Sequence, residues 1–347
     1  MKAKEKILKV KKYSPPLEHR EKHIRLDFNE NTRGCSPAVL RRIQKIKKDD
    51  LSVYPSYSSF INTLAKKNKV KPSQIILTNG SSEAIRALFQ TFINDGDELV
   101  LPTPTFSLFP LFAQIAGARI TAISYEKNLD FPFKKVMHSI QPSTKIVVLV
   151  NPNNPTGTTI ENKNIERIAK KAKNALILID EAYYPYYNHT ALSLLKKYPN
   201  IAILRTFSKV YGLAGIRLGY LIAHEEITRE VQKVLSPYCV SSLAVLTASA
   251  ALEEDTFVKE TVQANRKNKE FLVKELSKMG VKTYPSEANF VLAVFDNPQR
   301  VLKELEKRKI LIRDVTVQLP TCLRITIGTR KELDCLLDVL GQIHKKR

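Results

Sequence analysis

The 347-residue chain has few cysteines, a shortage of acidic residues and no long apolar run, and each shortage removes a class of function. Its four cysteines, Cys35, Cys239, Cys322 and Cys335, lack CxxC spacing, so neither a disulfide framework nor a cysteine zinc site is expected. They read as reduced, structural thiols. His19 and His23 stand four residues apart without an evident third ligand, so no metal site is expected either. No apolar run reaches the roughly 18 residues of a membrane span, and the basic N-terminus MKAKEKILKVKKYSPP lacks the apolar region of a signal peptide. The expected location is the cytoplasm, with no membrane partner. Against 56 Lys+Arg stand only 34 Asp+Glu, a net charge of +22, which would attract nucleic acid or phosphorylated small molecules. The lysines, however, fall in amphipathic stretches such as ENKNIERIAKKAK and RKNKEFLVKELSKMG, opposite the apolar positions, as on a solvated face. No helix-turn-helix or similar module is found, so nucleic acid is not an expected partner.

What is present is an ordinary globular composition, 43% hydrophobic and long enough for a large core. Between about residues 75 and 235, short β-branched runs alternate with helical stretches: QIILTNG, DELVLP, ARITAIS, KIVVLV, ALILID, IAILRTFS and LGYLIAH. Near-continuous apolar runs of this kind mark strands buried on both faces, so an α/β fold with a mainly parallel seven-stranded sheet is expected. After residue 236 a long helical region leads to TYPSEANFVLAVF, ILIRDV and CLRITIGT, which suggest a smaller α+β domain. The expected division is a large domain over 46–235 and a small one built from 1–45 and 236–347.

Three of the strands end in reactive or polar residues. KIVVLV runs into Asn151-Pro152-Asn153-Asn154-Pro155-Thr156-Gly157, ALILI into Asp180-Glu181-Ala182-Tyr183, and IAILRTF into Ser208-Lys209, with Arg217 eight residues on. Open α/β sheets bind ligands beyond the carboxyl ends of their strands, so these groups should converge. They suit a pyridine aldehyde carrying a phosphate, pyridoxal 5'-phosphate (PLP). Lys209 can form a Schiff base with the aldehyde, and Asp180 can keep the ring nitrogen protonated so that the ring accepts a carbanion's electrons. Asn154 and Tyr183 can donate to the phenolate oxygen, while Ser208 and Arg217 can hold the phosphate. Upstream, Asn79-Gly80-Ser81-Ser82-Glu83 opens a helix after a strand, so backbone amides at Gly80, Ser81 and Ser82 would face an anion. The same turn could merely start a helix. Phe106 offers a ring to stack on the pyridine, or simply a core side chain.

The ordered set NGSSE, PTPTF, NPNNPTG, DEAY and TFSK with its following arginine resembles the fold-type-I aminotransferases of class I/II, over nearly the whole chain. From Asn154 to Asp180 is 26 residues and from Asp180 to Lys209 is 29, a specific combination. Within that family the chain is most similar to the histidinol-phosphate aminotransferases, through LDFNEN, Val53-Tyr54-Pro55 and the LRITIGT strand. The resemblance implies a homodimer in which Tyr54 reaches the partner's cofactor phosphate. It also implies that Arg324 holds glutamate's carboxylate and that Arg313 and Tyr13 bind the phosphate of histidinol phosphate. The implied substrates are histidinol phosphate and 2-oxoglutarate, in histidine biosynthesis. The chain departs from that branch's pattern at TRGCSP and at Ser56, near the implied substrate entrance. Two readings keep the cofactor and change the substrate: an aromatic amino acid aminotransferase and a threonine-phosphate decarboxylase. A third would make the chain a PLP-fold regulator that binds nucleic acid.

Overall fold

The computed structural model describes residues 2–12 and 20–345. The expected substrate residue Tyr13 lies outside them, as does His19. Two sheets organise the described residues. The larger has seven strands, β2 (Ile75–Thr78), β3 (Glu98–Thr103), β4 (Arg119–Ser124), β5 (Thr144–Val150), β6 (Leu176–Asp180), β7 (Ile201–Thr206) and β8 (Gly219–Ala223), ordered β2-β8-β7-β6-β5-β3-β4. β8 runs antiparallel to both neighbours, and the other pairings are parallel. All seven sequence runs therefore became strands.

Alternation explains why they read as unbroken apolar runs. On β5, Val147 and Leu149 join one core and Ile146, Val148 and Val150 the opposite one; on β7, Ile201 and Ile203 face the first while Ala202 and Leu204 face the second. With both faces covered, each such Ile, Leu or Val contributes on the order of 1.5–3 kcal/mol of burial free energy. The consequence for function is that polar residues have few places to go except the strand ends.

The smaller sheet has the order β1-β11-β12-β10-β9, with β1 (Ile24–Leu26), β9 (Thr283–Tyr284), β10 (Phe290–Val294), β11 (Ile310–Asp314) and β12 (Cys322–Thr326). β1 pairs in parallel with β11, which ties the N-terminal segment to the C-terminal sheet. Leu272 and Leu276 of the helix Asp255–Lys278, with Leu333, Leu336 and Leu340 of the helix Arg330–Lys345, cover its core. Val39 and the buried face of the helix Ser242–Leu252 instead pack into a core of the large sheet. The domain division near residues 46 and 235 thus stands as a proposal about independent bodies, and side-chain packing crosses it at both ends.

Candidate active site

The carboxyl ends of β5, β6 and β7 deliver the expected residues to one crevice, and local geometry explains which side chains are free to act there. In the turn after β5, Asn151 is spent on the backbone of Ile160, donating to its carbonyl at 3.0 Å and accepting from its amide at 2.9 Å. Asn153 is likewise spent, accepting from Thr105 Oγ1 at 2.8 Å and donating to the Pro104 carbonyl at 2.9 Å. The third, Asn154, points at the small sheet instead: its Oδ1 accepts from Arg324 Nη1 at 2.5 Å. Arg324 also donates to the Asp27 carbonyl at 2.5 Å, and it is buried.

Asp180 ends β6, buried, with one oxygen accepting from the Ala182 amide at 2.9 Å. Burial pushes its carboxyl up to about 6, against the stabilising amide and the nearby Lys209, and Glu181 adds to the rise. Lys209, after β7, donates from Nζ to the Phe28 carbonyl at 2.8 Å and lies 6.0 Å from the Tyr183 ring centroid. Burial lowers its ammonium to about 8, helped by the cations Arg324 and Arg217 and opposed by Glu30 and Asp180. A buried carboxylate and a lysine with a depressed pKa in one crevice match what a cationic pyridine ring and an aldehyde require of a protein.

The anion cradle is shaped by two glycines. Gly80, at φ +73°, precedes the helix Ser81–Phe92, and a Cβ there would sit 2.5 Å from Arg217 Nη2. Only a glycine lets that guanidinium lie against the turn. Gly219 does the same for the helix itself, because a Cβ would meet the Ser81 amide at 2.4 Å. No described residue accepts from the Ser81 or Ser82 amides, and Gly80 supplies no side-chain cap, so both amides are available to an anion. Arg217 holds the left-handed region at φ +58°, a strained conformation for a non-glycine residue, and its Nη1 lies 3.5 Å from Ser208 Oγ. Together these groups set a guanidinium, a hydroxyl and two free backbone amides at one turn, donors that suit a phosphate, and the residues present fit PLP. Lys209, Asp180, Tyr183, Asn154, Ser208, Arg217 and the amides after Gly80 are the groups that would hold it.

Phe106, three residues beyond the end of β3, lies edge-on to Phe109 with centroids 6.3 Å apart and is half-buried. Arg313 is the cross-strand partner of Arg324 between β11 and β12, and its guanidinium lies 5.6 Å from the Phe28 ring centroid. Tyr54 makes no hydrogen bond or ring contact with Lys209, Asp180 or Arg217. It is 76% exposed and stacks on Tyr238 with centroids 4.5 Å apart.

Sequence reasoning assigned no role to Asn29, the first asparagine of LDFNEN. Buried and at φ +56°, it donates from Nδ2 to the Tyr183 hydroxyl at 2.8 Å, donates its amide to Thr326 Oγ1 at 3.0 Å and accepts on its carbonyl from Asn289 at 3.0 Å. The small sheet thereby orients a tyrosine of the large one. Only the motif itself carried that signal, since nothing in one sequence says which distant hydroxyl an asparagine meets.

A mainly parallel sheet presenting these groups at its carboxyl edge defines the class: a fold-type-I PLP-dependent transferase. Residues 21–340 match the model of the family "Aminotransferase class I and II", and the chain belongs to that family. It is 36% identical to the histidinol-phosphate aminotransferase of Thermoanaerobacter pseudethanolicus over 92% of each chain. It is 35% identical to that of Bacillus velezensis over 99% of this chain and all of the relative. Among solved structures, histidinol-phosphate aminotransferase from Sinorhizobium meliloti in complex with pyridoxal-5'-phosphate aligns with a TM-score of 0.89 at 22% identity, covering 99% of this chain and 98% of that one. The enzyme is a PLP-dependent aminotransferase. Among the described residues, no helix is long and apolar enough to cross a membrane.

Proposed function

We propose that this enzyme exchanges the amino group of L-histidinol phosphate with 2-oxoglutarate, giving imidazole-acetol phosphate and glutamate, as a step of histidine biosynthesis in the cytoplasm. The observation that carries this reading is the pairing of Arg313 and Arg324 across β11 and β12. Directly opposed residues of neighbouring strands project from the same face, and two arginines so placed suit substrates that alternate between a phosphate and a second carboxylate. An aromatic amino acid offers its α-carboxylate but no second anion for the other arginine, and a decarboxylase has no need to accept glutamate.

In this reading Arg324 holds the carboxylate of glutamate and Arg313 the phosphate. The cofactor, when bound, supplies an electron sink for the carbanion left at the substrate carbon. Lys209 would hold the cofactor and, once released from it, would move the proton to and from the substrate carbon, a transfer worth about 10² to 10⁴ in rate. Asp180 keeps the ring nitrogen protonated, its own ionisation favoured by that cation. Tyr183 and Asn154 donate to the phenolate oxygen. Arg217, Ser208 and the Ser81 and Ser82 amides bind the phosphate, Phe106 stacks on the ring, and Tyr54 reaches the phosphate of the partner's cofactor in a homodimer.

The test is the absorbance of the purified, cofactor-loaded enzyme titrated separately with glutamate, histidinol phosphate, phenylalanine and threonine phosphate. Histidinol phosphate and glutamate should convert the bound cofactor at the lowest concentrations. A preference for phenylalanine, or carbon dioxide released from threonine phosphate, would replace the proposed substrate. Borohydride reduction followed by peptide mapping should place the cofactor's mass on Lys209.

A further inference from the structure

A cavity of about 530 Å³ lies beside the crevice just described, and none of Lys209, Asp180, Asn154, Arg217 and Arg324 lines it. Its volume is within the roughly 300–1,000 Å³ usual for small-molecule sites. At its base is the ion pair Arg205–Glu181, both buried, with Nη2 and Oε2 2.7 Å apart. That pair is already satisfied. Glu181 also accepts from Thr190 Oγ1 at 2.8 Å and from the Ala191 amide at 2.7 Å, and Arg205 donates to Asn68 Oδ1 at 2.7 Å. It therefore offers a charge-compensated surface, with the guanidinium lying 3.7 Å from the Tyr184 ring centroid.

The walls and rim are different in character. Tyr184, Tyr211 and Tyr220 line the cavity, and none of their hydroxyls is hydrogen-bonded to a described residue. Tyr220 is only 7% exposed as a residue, yet its hydroxyl is not sealed from solvent, so it opens onto the cavity. Such a hydroxyl can donate to an acceptor on a ligand. Leu192, Leu195 and Leu252 add apolar surface. At the rim, Lys69 and Lys196 are exposed and form no ion pair with a described residue, whereas Lys67 is paired with Asp255. Phenols and an apolar wall inside, with two uncompensated cations at the mouth, select a ligand with a flat aromatic body and an anionic head.

We propose that this cavity is a second binding site, separate from the cofactor crevice, for a small aromatic anion. Its position is adjacent to the catalytic strands: Glu181 follows Asp180, Tyr184 follows Tyr183, and Thr206, also in the lining, has its Oγ1 3.0 Å from Ser208 Oγ. The proposal does not depend on which amino donor the enzyme uses.

The probe is 2-naphthoate, titrated at low salt into the cofactor-saturated full-length enzyme and followed by ligand-observed NMR. Saturable binding should persist in excess glutamate. Cyclohexanecarboxylate, with the same charge and no aromatic ring, should bind at least tenfold more weakly. Ser193→Trp, which places bulk in the cavity from an exposed lining position, should weaken naphthoate at least tenfold. The double variant Lys69→Glu/Lys196→Glu should do the same by reversing the rim charge. Both variants should keep wild-type melting temperature and transamination. Absence of saturable binding, displacement by glutamate, or unchanged affinity in both variants would overturn the proposal.

Discussion

At Lys209 two demands meet, since the amine must be neutral to capture an aldehyde and yet must carry a proton during turnover. Burial and the cations Arg324 and Arg217 lower its ammonium to about 8, which leaves an appreciable neutral fraction near neutral pH. The sign is that of a base whose protonated form is disfavoured in the folded protein. Cofactor capture by the apo enzyme should therefore quicken as pH rises through about 8. Because Arg324 depresses the pKa, Arg324→Leu should move that midpoint upward in stopped-flow measurements of PLP binding. An unmoved or lowered midpoint would remove Arg324 from the electrostatic account. Asn29 makes a second residue-scale case. Asn29→Asp keeps the shape and tolerates the left-handed backbone, but offers Tyr183 an acceptor in place of a donor. The tyrosine hydroxyl should then turn toward the introduced carboxylate and away from the cofactor, raising the PLP dissociation constant about tenfold, the scale of one net hydrogen bond. Equal PLP affinity in the two proteins would contradict this. The candidates Asn154, Asp180 and Lys209 could be picked out at this scale because each lies just beyond or at the end of an apolar strand and suits one task. Asn29 could not, because its meaning lies in contacts some 150 to 300 residues away in sequence.

At the scale of elements, legibility follows burial. The seven large-sheet strands were readable because both faces are covered, which leaves short runs of β-branched and leucine residues bounded by turn residues. TYPSEANFVLAVF was readable only as strand-like: it folds into the two-residue β9 and the five-residue β10 joined by Pro285–Asn289, and the pairing of β9 with β10 comes from tertiary contact. The antiparallel direction of β8 was equally hidden, since the distance from the end of β7 allows either sense. That direction matters, because it brings Gly219 and Arg217 back against the start of the helix Ser81–Phe92. Gly80→Ala tests the cradle so formed. The methyl group would meet Arg217 Nη2 at 2.5 Å on a backbone at φ +73°, so either the arginine moves or the turn does. We expect about 1–3 kcal/mol of lost stability, because ψ of 161° puts the alanine in a positive-φ region essentially reserved for glycine, and a larger, at least tenfold, loss of PLP affinity. A thermal shift without a change in PLP affinity would mean that Arg217 finds the phosphate by another route.

For the whole molecule, exposed apolar surface and net charge together bear on assembly. The exposed apolar residues Leu40, Ile43, Leu51, Val53 and Leu243 lie around the Tyr54–Tyr238 stack, where the helix Pro37–Gln44 packs on the helix Ser242–Leu252 and Ser242 reaches the Val53 carbonyl at 3.4 Å. An apolar surface of this kind favours self-association, and two-fold symmetry would put Tyr54 of each chain at the other's crevice. Chains of charge +22 repel, so the proposed homodimer should tighten as salt is added, opposite to an interface held by opposite charges. A sharper test uses two inactive proteins. Lys209→Ala lacks the amine, and Tyr54→Ala lacks the hydroxyl and ring offered to the neighbour. If each site draws Lys209 from one chain and Tyr54 from the other, a mixed dimer contains one site missing both groups and one intact site. Co-refolding equal amounts should then restore about a quarter of wild-type activity, whereas neither parent alone recovers any. If Tyr54 instead served its own chain, every mixed dimer would hold two damaged sites and no activity would return, and the exposed position of Tyr54 would need another explanation.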